Sequence, residues 1–235
     1  MRLHLGEGEL IQMTQTEATI LTITSVPFDE NAYLAYFESR NDCLVIDPGL
    51  EPGKILAELD RRGLVPAAIL CTHGHADHIA GNGALKERWP DCPIVIGTGD
   101  VAKLTDPELN LSAGFGIGLT SPPADQIVSE GDQLELAGFS LKVFETPGHS
   151  VGHVVFVAEG LTPPTVFGGD VLFQASVGRT DFPDGSFSVL KKAIHDKLYC
   201  LPDDTIVLPG HGPTTTIGEE KRSNPFVGLN SNFEG

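Results

Sequence analysis

Between positions 73 and 78 the chain sets three histidines and an aspartate, in the run Thr72-His73-Gly74-His75-Ala76-Asp77-His78. Imidazole nitrogen and carboxylate oxygen together suit zinc and the neighbouring transition metals. The run follows directly on the apolar stretch Ala67-Ala68-Ile69-Leu70, so a buried strand delivers it to a strand end. On an extended backbone His73 and His75 face the same side, about 6.5 Å apart by the strand rise. Asp77 and His78 come where the chain must turn, and are free to face a second point. Histidines do occur in turns without chemistry, but this density of donors behind a buried strand points to a metal site.

The rest of the chain repeats the design. Phe167 leads into Gly168-Gly169-Asp170, and Leu208 into Pro209-Gly210-His211-Gly212. His149, in Thr146-Pro147-Gly148-His149-Ser150, follows the apolar Phe144 across a short turn. Reactive groups on loops at the ends of rigid strands are a recurrent catalytic arrangement. Other polar residues have plainer explanations. His153 lies one strand start beyond His149 and reads as a supporting or packing residue. His195 falls in a helical stretch and His4 near the start, and neither is assigned to the site. Lys191 and Lys192 read as a solvated helix face.

The elements that must position these groups follow from periodicity. Strands are expected at 19–24, 31–37 and 43–47, with Ser39-Arg40-Asn41-Asp42 as a turn and Pro48-Gly49 stopping the third. Pro52 opens a helix through Ile55, Leu56 and Leu59 that Gly63 closes. Strand 67–70 is followed by a short helix near 84–89, which stops at Pro90, and by strand 93–96. From 105 to 124 the pattern dissolves. The glycine-rich run 111–119 has no feeding strand and no following lysine, so it is an irregular loop, not a phosphate cradle; its apolar residues either line a pocket or simply pack. A hairpin turning at Ala137-Gly138 then leads to His149, followed by strands 154–157 and 165–167, a helix over 186–199 and strand 205–208. A short helix is expected near 219–222, and 224–235 reads as loosely structured. No linker or composition break divides the chain, so residues 1–235 are expected to form one domain.

Composition narrows the partners. The 235 residues carry a formal net charge of -17 with 40% hydrophobic residues, enough apolar material for a large core. Such a surface repels phosphate backbones, so nucleic acid is not expected as a partner. The four cysteines (Cys43, Cys71, Cys92 and Cys200) form no CxxC pair and suggest packing, not a secreted disulfide framework. The opening residues 1–7 lack the apolar core of a signal peptide, and no run reaches the 18 or so apolar residues of a membrane span. A cytoplasmic location is expected, with no membrane partner; oligomeric state is left open.

Taken together, Thr-His-Gly-His-Ala-Asp-His at 72–78, Pro-Gly-His at 147–149, Gly-Asp at 169–170 and Gly-His-Gly at 210–212 resemble the metallo-β-lactamase superfamily over nearly the whole chain. The resemblance implies an α+β fold, the αββα sandwich of two packed mixed β-sheets flanked by helices. It implies that His73, His75 and His149 hold one metal and Asp77, His78 and His211 a second, with Asp170 bridging and Asp77 and Asp170 counted as catalytic. The cofactors implied are two divalent ions, zinc first, with iron or manganese able to occupy the same donors. His75 stands where the family's oxygen-reducing diiron members carry Glu, which favours hydrolysis.

Finer motifs resemble particular branches. Gly169-Asp170-Val171-Leu172-Phe173 and Val177-Gly178-Arg179-Thr180-Asp181-Phe182 are similar to the glyoxalase II-like thioesterases and the persulfide dioxygenases. The stretch 210–219 with Asn224-Pro225-Phe226 is similar to the compact bacterial type II glyoxalases. The chain runs only from 212 to 235 beyond His211, so the helical C-terminal glutathione-binding domain of the larger enzymes is expected to be absent. Arg179 matches a basic glutathione-contacting position and is the expected substrate anchor, unless it is spent in a salt bridge. The implied activity is hydroxyacylglutathione hydrolysis, in which a hydroxide shared by two metals attacks a small glutathione thioester such as S-D-lactoylglutathione. A thiolate with a conjugate-acid pKa of about 8.5 leaves without strong acid help, and the sequence nominates no general acid. The alternatives are a glutathione persulfide dioxygenase with a single iron, a nuclease or phosphodiesterase disfavoured by the charge, and a non-catalytic metal-binding module.

Overall fold

Short stretches of apolar residues, some alternating and some continuous, become two six-stranded sheets that share one core. It is a computed structural model and describes residues 18–235; His4 and the opening residues 1–7 lie outside them. The first sheet comprises β1 (Ala18–Ser25), β2 (Glu30–Phe37), β3 (Asp42–Ile46), β4 (Val65–Cys71), β5 (Ile94–Gly97) and β6 (Gln126–Val128), in that order. Its outer face carries α1 (Pro52–Arg62), α2 (Ala76–Ile79) and α3 (Asn82–Arg88). The second half contributes β7 (Gln133–Leu136), β8 (Phe139–Glu145), β9 (Val154–Ala158), β10 (Thr165–Gly169), a small ribbon of β11 (Leu172–Phe173) and β12 (Ser176–Val177), then α4 (Phe187–Asp196), β13 (Ile206–Pro209), β14 (Thr215–Thr216) and α5 (Ile217–Ser223). Its sheet runs β14-β13-β10-β9-β8-β7, with α4 and α5 outside. This is the αββα sandwich that the resemblance implies.

The period of two decides which face each residue serves. Leu44, Ile46, Ala68 and Leu70 point between the sheets, where they meet Val143, Val154, Phe156 and Phe167. Their neighbours Cys43, Val45, Ile69 and Cys71 point outward to Ile55, Leu59, Ile79 and Leu85 of the helices. In the second sheet Val155, Val157, Val166 and Val207 do the same against Leu190, Ile194 and Leu198. Strands buried on both faces are therefore continuously apolar.

Both sheets are mixed, and the parallel pairs matter most. β3, β4 and β5 run parallel, as do β10 and β13, so their C-terminal ends collect on one edge of the sandwich. Hydrogen bonds lace the two sheets together there. The Asn31 amide donates to the Gly210 carbonyl at 2.7 Å, and the Tyr33 hydroxyl to the Pro209 carbonyl at 2.6 Å. The Val154 amide donates to the Thr72 carbonyl at 2.8 Å.

Most element positions agree with the periodicity, including Pro52 opening α1, Gly63 in left-handed conformation at its end, and the turn at Ala137 (φ 49°) and Gly138 (φ 83°). Four differences have physical causes. The third strand ends at Ile46, because Asp47 takes a positive φ of 47° and leaves the strand. The 186–199 helix stops at Asp196 and resumes as a 3-10 turn over Leu198–Cys200; Lys197 is drawn to the Glu145 carbonyl, and Pro202 follows. The 3-10 helix Thr98–Leu104 and the three-residue β6 were not predicted, being too short or too tightly wound for a period to show. The 224–235 tail is ordered by tertiary contacts: buried Asn224 caps the Phe226 and Val227 amides, and Phe233 packs on Phe187 and Phe226.

Phe156 is 0% exposed and sits between the sheets. Phe156→Ala is expected to cost about 3–5 kcal/mol of stability, measured as the shift in a urea unfolding midpoint. A loss under about 1 kcal/mol would mean that this core tolerates the cavity.

Candidate metal centre

The histidine run leaves β4 at Cys71 and does not stay extended. The Thr72 amide and hydroxyl both donate to Asp47, each at 2.7 Å, which bends the chain as it exits the sheet. The Gly74 amide donates to Asp100 Oδ2 at 2.8 Å. His73 and His75 therefore meet edge-on with ring centroids 4.6 Å apart, and not as parallel residues spaced along a strand. Asp77 and His78 lie in a helix, α2, instead of an open turn. The Asn110 carbonyl anchors its start through the Ala76 amide at 3.0 Å.

All seven predicted donors come together on the edge where the parallel strands end. His149 Nε2 lies 2.9 Å from His75 Nδ1 and 3.3 Å from His73 Nε2. In a second group His211 Nε2 is 3.4 Å from Asp77 Oδ2, and His78 Nε2 is 3.8 Å from it. Asp170 stands between the groups. Its Oδ1 is 3.5 Å from His78 Nε2, and its Oδ2 is 3.5 Å from both His149 Nε2 and His211 Nε2. Two glycines make room for it. Gly169 has a φ of 47°, and a Cβ there would strike Thr72 and His153; a Cβ on Gly210 would strike Asp170 and His78.

Donors around a tetrahedral ion with bonds of 2.0–2.1 Å stand about 3.3 Å from one another, close to the spacings found here. His78 Nε2 and Asp170 Oδ1 are buried with no hydrogen-bond partner among the described residues. Buried polar atoms are rarely left so, and a cation between them satisfies both. His73, His75 and His149 form one cluster able to hold a metal, and Asp77, His78 and His211 another. The donor set is compatible with a dinuclear metal site.

The outer nitrogens are held from behind. His149 Nδ1 donates to the Arg179 carbonyl at 2.8 Å, His211 Nδ1 to the Phe28 carbonyl at 3.0 Å, and His78 Nδ1 to Asp47 Oδ2 at 3.1 Å. Each bond selects the tautomer that leaves Nε2 free toward the centre. Buried His153 belongs to this support. Its Nε2 accepts from the Asp170 amide at 3.0 Å, its Nδ1 donates to Thr146 Oγ1, and its ring stacks on His73.

Electrostatics split the two groups. Burial pushes His73, His75 and His149 below the ordinary histidine range, and neighbouring imidazoles add to the effect at His73 and His75. Neutral imidazole is the form that ligates metal. Burial opposes charge on His78 and His211 as well, but there it loses: Asp170, Asp77 and Asp47 raise His78, and Asp77 and Asp170 raise His211. Asp77, also penalised by burial, is held below the ordinary carboxylate range by His78 and His211. The same carboxylates favour a metal cation at this point.

Arg179 is placed differently from its neighbours. Its backbone carbonyl supports His149, while its guanidinium is exposed, paired with Asp181 at 2.9 Å and laid over the Phe182 ring. The salt bridge is formed, and the side chain still borders the centre, because Phe182 lies 5.1 Å from the His75 ring. His195, by contrast, bonds the Val227 carbonyl away from the site.

Two supporting carboxylates were missed in the sequence. Asp47 looked like the end of a strand; its signal was an acid closing an apolar strand parallel to the one bearing the histidines. Asp100 gave no signal. It is 0% exposed and accepts from the Gly74 amide, the Gly152 amide at 2.8 Å and the Ser150 hydroxyl, with Lys103 Nζ 3.4 Å away. It thereby joins the loop of His73 and His75 to the loop of His149.

Comparisons with known proteins agree with this fold. The sequence model of the metallo-beta-lactamase superfamily matches residues 26–211. The hydroxyacylglutathione hydrolase GloC of Haemophilus influenzae (strain ATCC 51907 / DSM 11121 / KW20 / Rd) is 36% identical over 90% of this chain and 98% of its own. The crystal structure of the BLEG-1 B3 metallo-beta-lactamase superposes with a TM-score of 0.84 at 38% identity, covering 89% of this chain and 99% of that one. That of TTHA1623 in a di-iron-bound form has a TM-score of 0.77 at 39% identity, covering 88% and 99%.

Asp100→Ala strands two buried amides, each of which costs about 1–3 kcal/mol when left unsatisfied. The variant is expected to lose about 3 kcal/mol of stability or more in urea unfolding; Asp100→Asn, which keeps an acceptor, is expected to lose less. Equal losses would remove the role of the amide bonds.

Proposed function

This chain belongs to the metallo-beta-lactamase superfamily, and on that premise we propose that it is a hydrolase of glutathione thioesters of the S-D-lactoylglutathione type, releasing the hydroxy acid and glutathione. The observation that carries the proposal is Asp170, set at 3.5 Å from donors of both groups. His73, His75 and His149 would hold one divalent ion, and Asp77, His78 and His211 the other, with Asp170 common to both. Two ions bound there would lower the pKa of a bound water toward about 7 and polarise a carbonyl. Zinc is the first expectation, and iron or manganese suits the same nitrogen and oxygen donors. The likeness to GloC supports a glutathione thioester as substrate.

The chain's own groups divide the remaining work. Asp170 and Asp77 would supply the negative charge that balances the ions. Asp77, kept in its charged form by His78 and His211, would be a donor to the second ion. Arg179 would exchange its partner Asp181 for a carboxylate of glutathione, and Phe182 keeps its guanidinium in place. No acid is required for the leaving thiolate, whose conjugate acid ionises at about 8.5.

Elemental analysis of the purified protein, run beside hydrolysis of S-D-lactoylglutathione and of a β-lactam, tests the proposal. Two metal equivalents per chain with thioester cleavage are expected. One iron with oxygen uptake on glutathione persulfide would replace it with the dioxygenase alternative. Loss of an outer support alone costs 10–100-fold in metal affinity or activity, so Asp170→Ala, which removes a shared donor, is expected to cost more than about 100-fold. Unchanged metal stoichiometry in that variant would remove Asp170 from both groups. Arg179→Ala is expected to raise KM several-fold at constant kcat, the mark of lost ground-state binding; a fall in kcat alone would place Arg179 in the transition state.

A further inference from the structure

The two flanks of the metal centre differ in chemistry. On the His75 and His149 side stands Phe182, 5.1 and 5.6 Å from those rings, with the exposed Arg179 guanidinium over it. The nearby Lys103 is buried and committed to Asp184 at 2.6 Å and Asp100 at 3.4 Å. Among the described residues Arg179 is thus the cation of this flank that reaches solvent.

On the His211 side two loops expose large apolar side chains, with exposed Asp29 beside Phe28. Phe28, whose carbonyl accepts from His211 Nδ1, is 41% exposed; Phe115 is 66% exposed and Ile117 52%. Phe28 and Phe115 meet edge to face at 5.4 Å, although they come from different loops. The loop carrying Phe115 is firmly based. Buried Asn110 donates to the Lys103 and Leu119 carbonyls, accepts from the Ser112 amide, and through its own carbonyl holds the Ala76 amide at the start of α2. Leu111 next to it adopts a left-handed φ of 70°, a conformation that costs energy in a non-glycine residue and tends to persist where function uses it. A braced loop that turns large apolar side chains into water beside a reactive centre is a binding feature more than a packing one.

We infer that the Phe28–Phe115 flank receives the acyl group of the substrate, and that the enzyme prefers thioesters of longer apolar acids to the lactoyl thioester. The inference rests on the thioesterase reading and specifies its substrate class. A thioester whose carbonyl lies at the centre extends in opposite directions. Its glutathione half bears two carboxylates and matches the Arg179 flank. Its acyl half then runs toward His211 and the two rings. A lactoyl group is short and hydroxylated and leaves both rings in water, whereas a straight alkyl chain covers them and gains from leaving water itself.

Two measurements test this separately. In binding calorimetry, which needs no turnover, S-hexylglutathione is expected to bind at least about tenfold more tightly than S-methylglutathione, and Phe115→Ala to abolish most of that difference; additional methylenes in an apolar site are worth about tenfold or more. In kinetics of the metal-replete protein, kcat/KM for S-hexanoylglutathione is expected to exceed that for S-D-lactoylglutathione, and Phe115→Ala to lower their ratio about tenfold. Equal binding of the two thioethers, or equal falls for both thioesters in the variant, overturns the inference while leaving the hydrolase. Phe115-dependent binding with no thioester cleavage overturns the hydrolase reading and leaves an apolar ligand site.

Discussion

Asp47 grips the start of the histidine run with both carboxylate oxygens, and the arrangement of the donors depends on that grip. One oxygen takes the Thr72 amide and the other the Thr72 hydroxyl and His78 Nδ1. The first pair turns the chain as it leaves β4; the third bond orients a ring from the helix that follows. A buried carboxylate of this kind is stable only when its lone pairs are met, and here they are met by the residues that carry the chemistry. Structure and site therefore share their hydrogen bonds.

The same economy appears across the two sheets. Parallel β3 and β4 in one sheet, and β10 and β13 in the other, bring their ends to a common edge. Backbone bonds from Asn31 to Gly210 and from Val154 to Thr72 hold those ends in register. Asp100 then ties the His73–His75 loop to the His149 loop. Donor atoms 2.9–3.8 Å apart would drift if each depended on its own loop. They stay close because supports such as Asp47 and Asp100 belong to two loops at once, and such precision in an inner set rests on its outer partners.

The overall charge of -17 sets the wider field. Against it, the cations placed near the centre, Lys103 and Arg179, are both paired with aspartates. Among the described residues no helix is long and apolar enough to cross a membrane. The family membership, the fold and the clustered donors support metal-dependent hydrolysis.

Much of this was legible in the residues themselves. Alternation in 19–24 and the continuous apolar run 43–46 report local geometry, Pro52 and Gly63 mark helix ends by their backbone limits, and the tight His73–His78 spacing advertises a metal through donor density alone. These signals are local, and the family pattern joined the distant His149, Asp170 and His211 to them. What only the tertiary structure decided is contact between segments far apart in the chain. Asp100, 26 residues from Gly74, serves it because β5 lies beside β4. Phe28 meets Phe115 because two loops from different parts of the fold end at the same donor edge. Asp47 is a support and not a strand residue because its neighbour in space is Thr72. Such roles arise from proximity created by folding, which side-chain type and spacing along the chain do not fix.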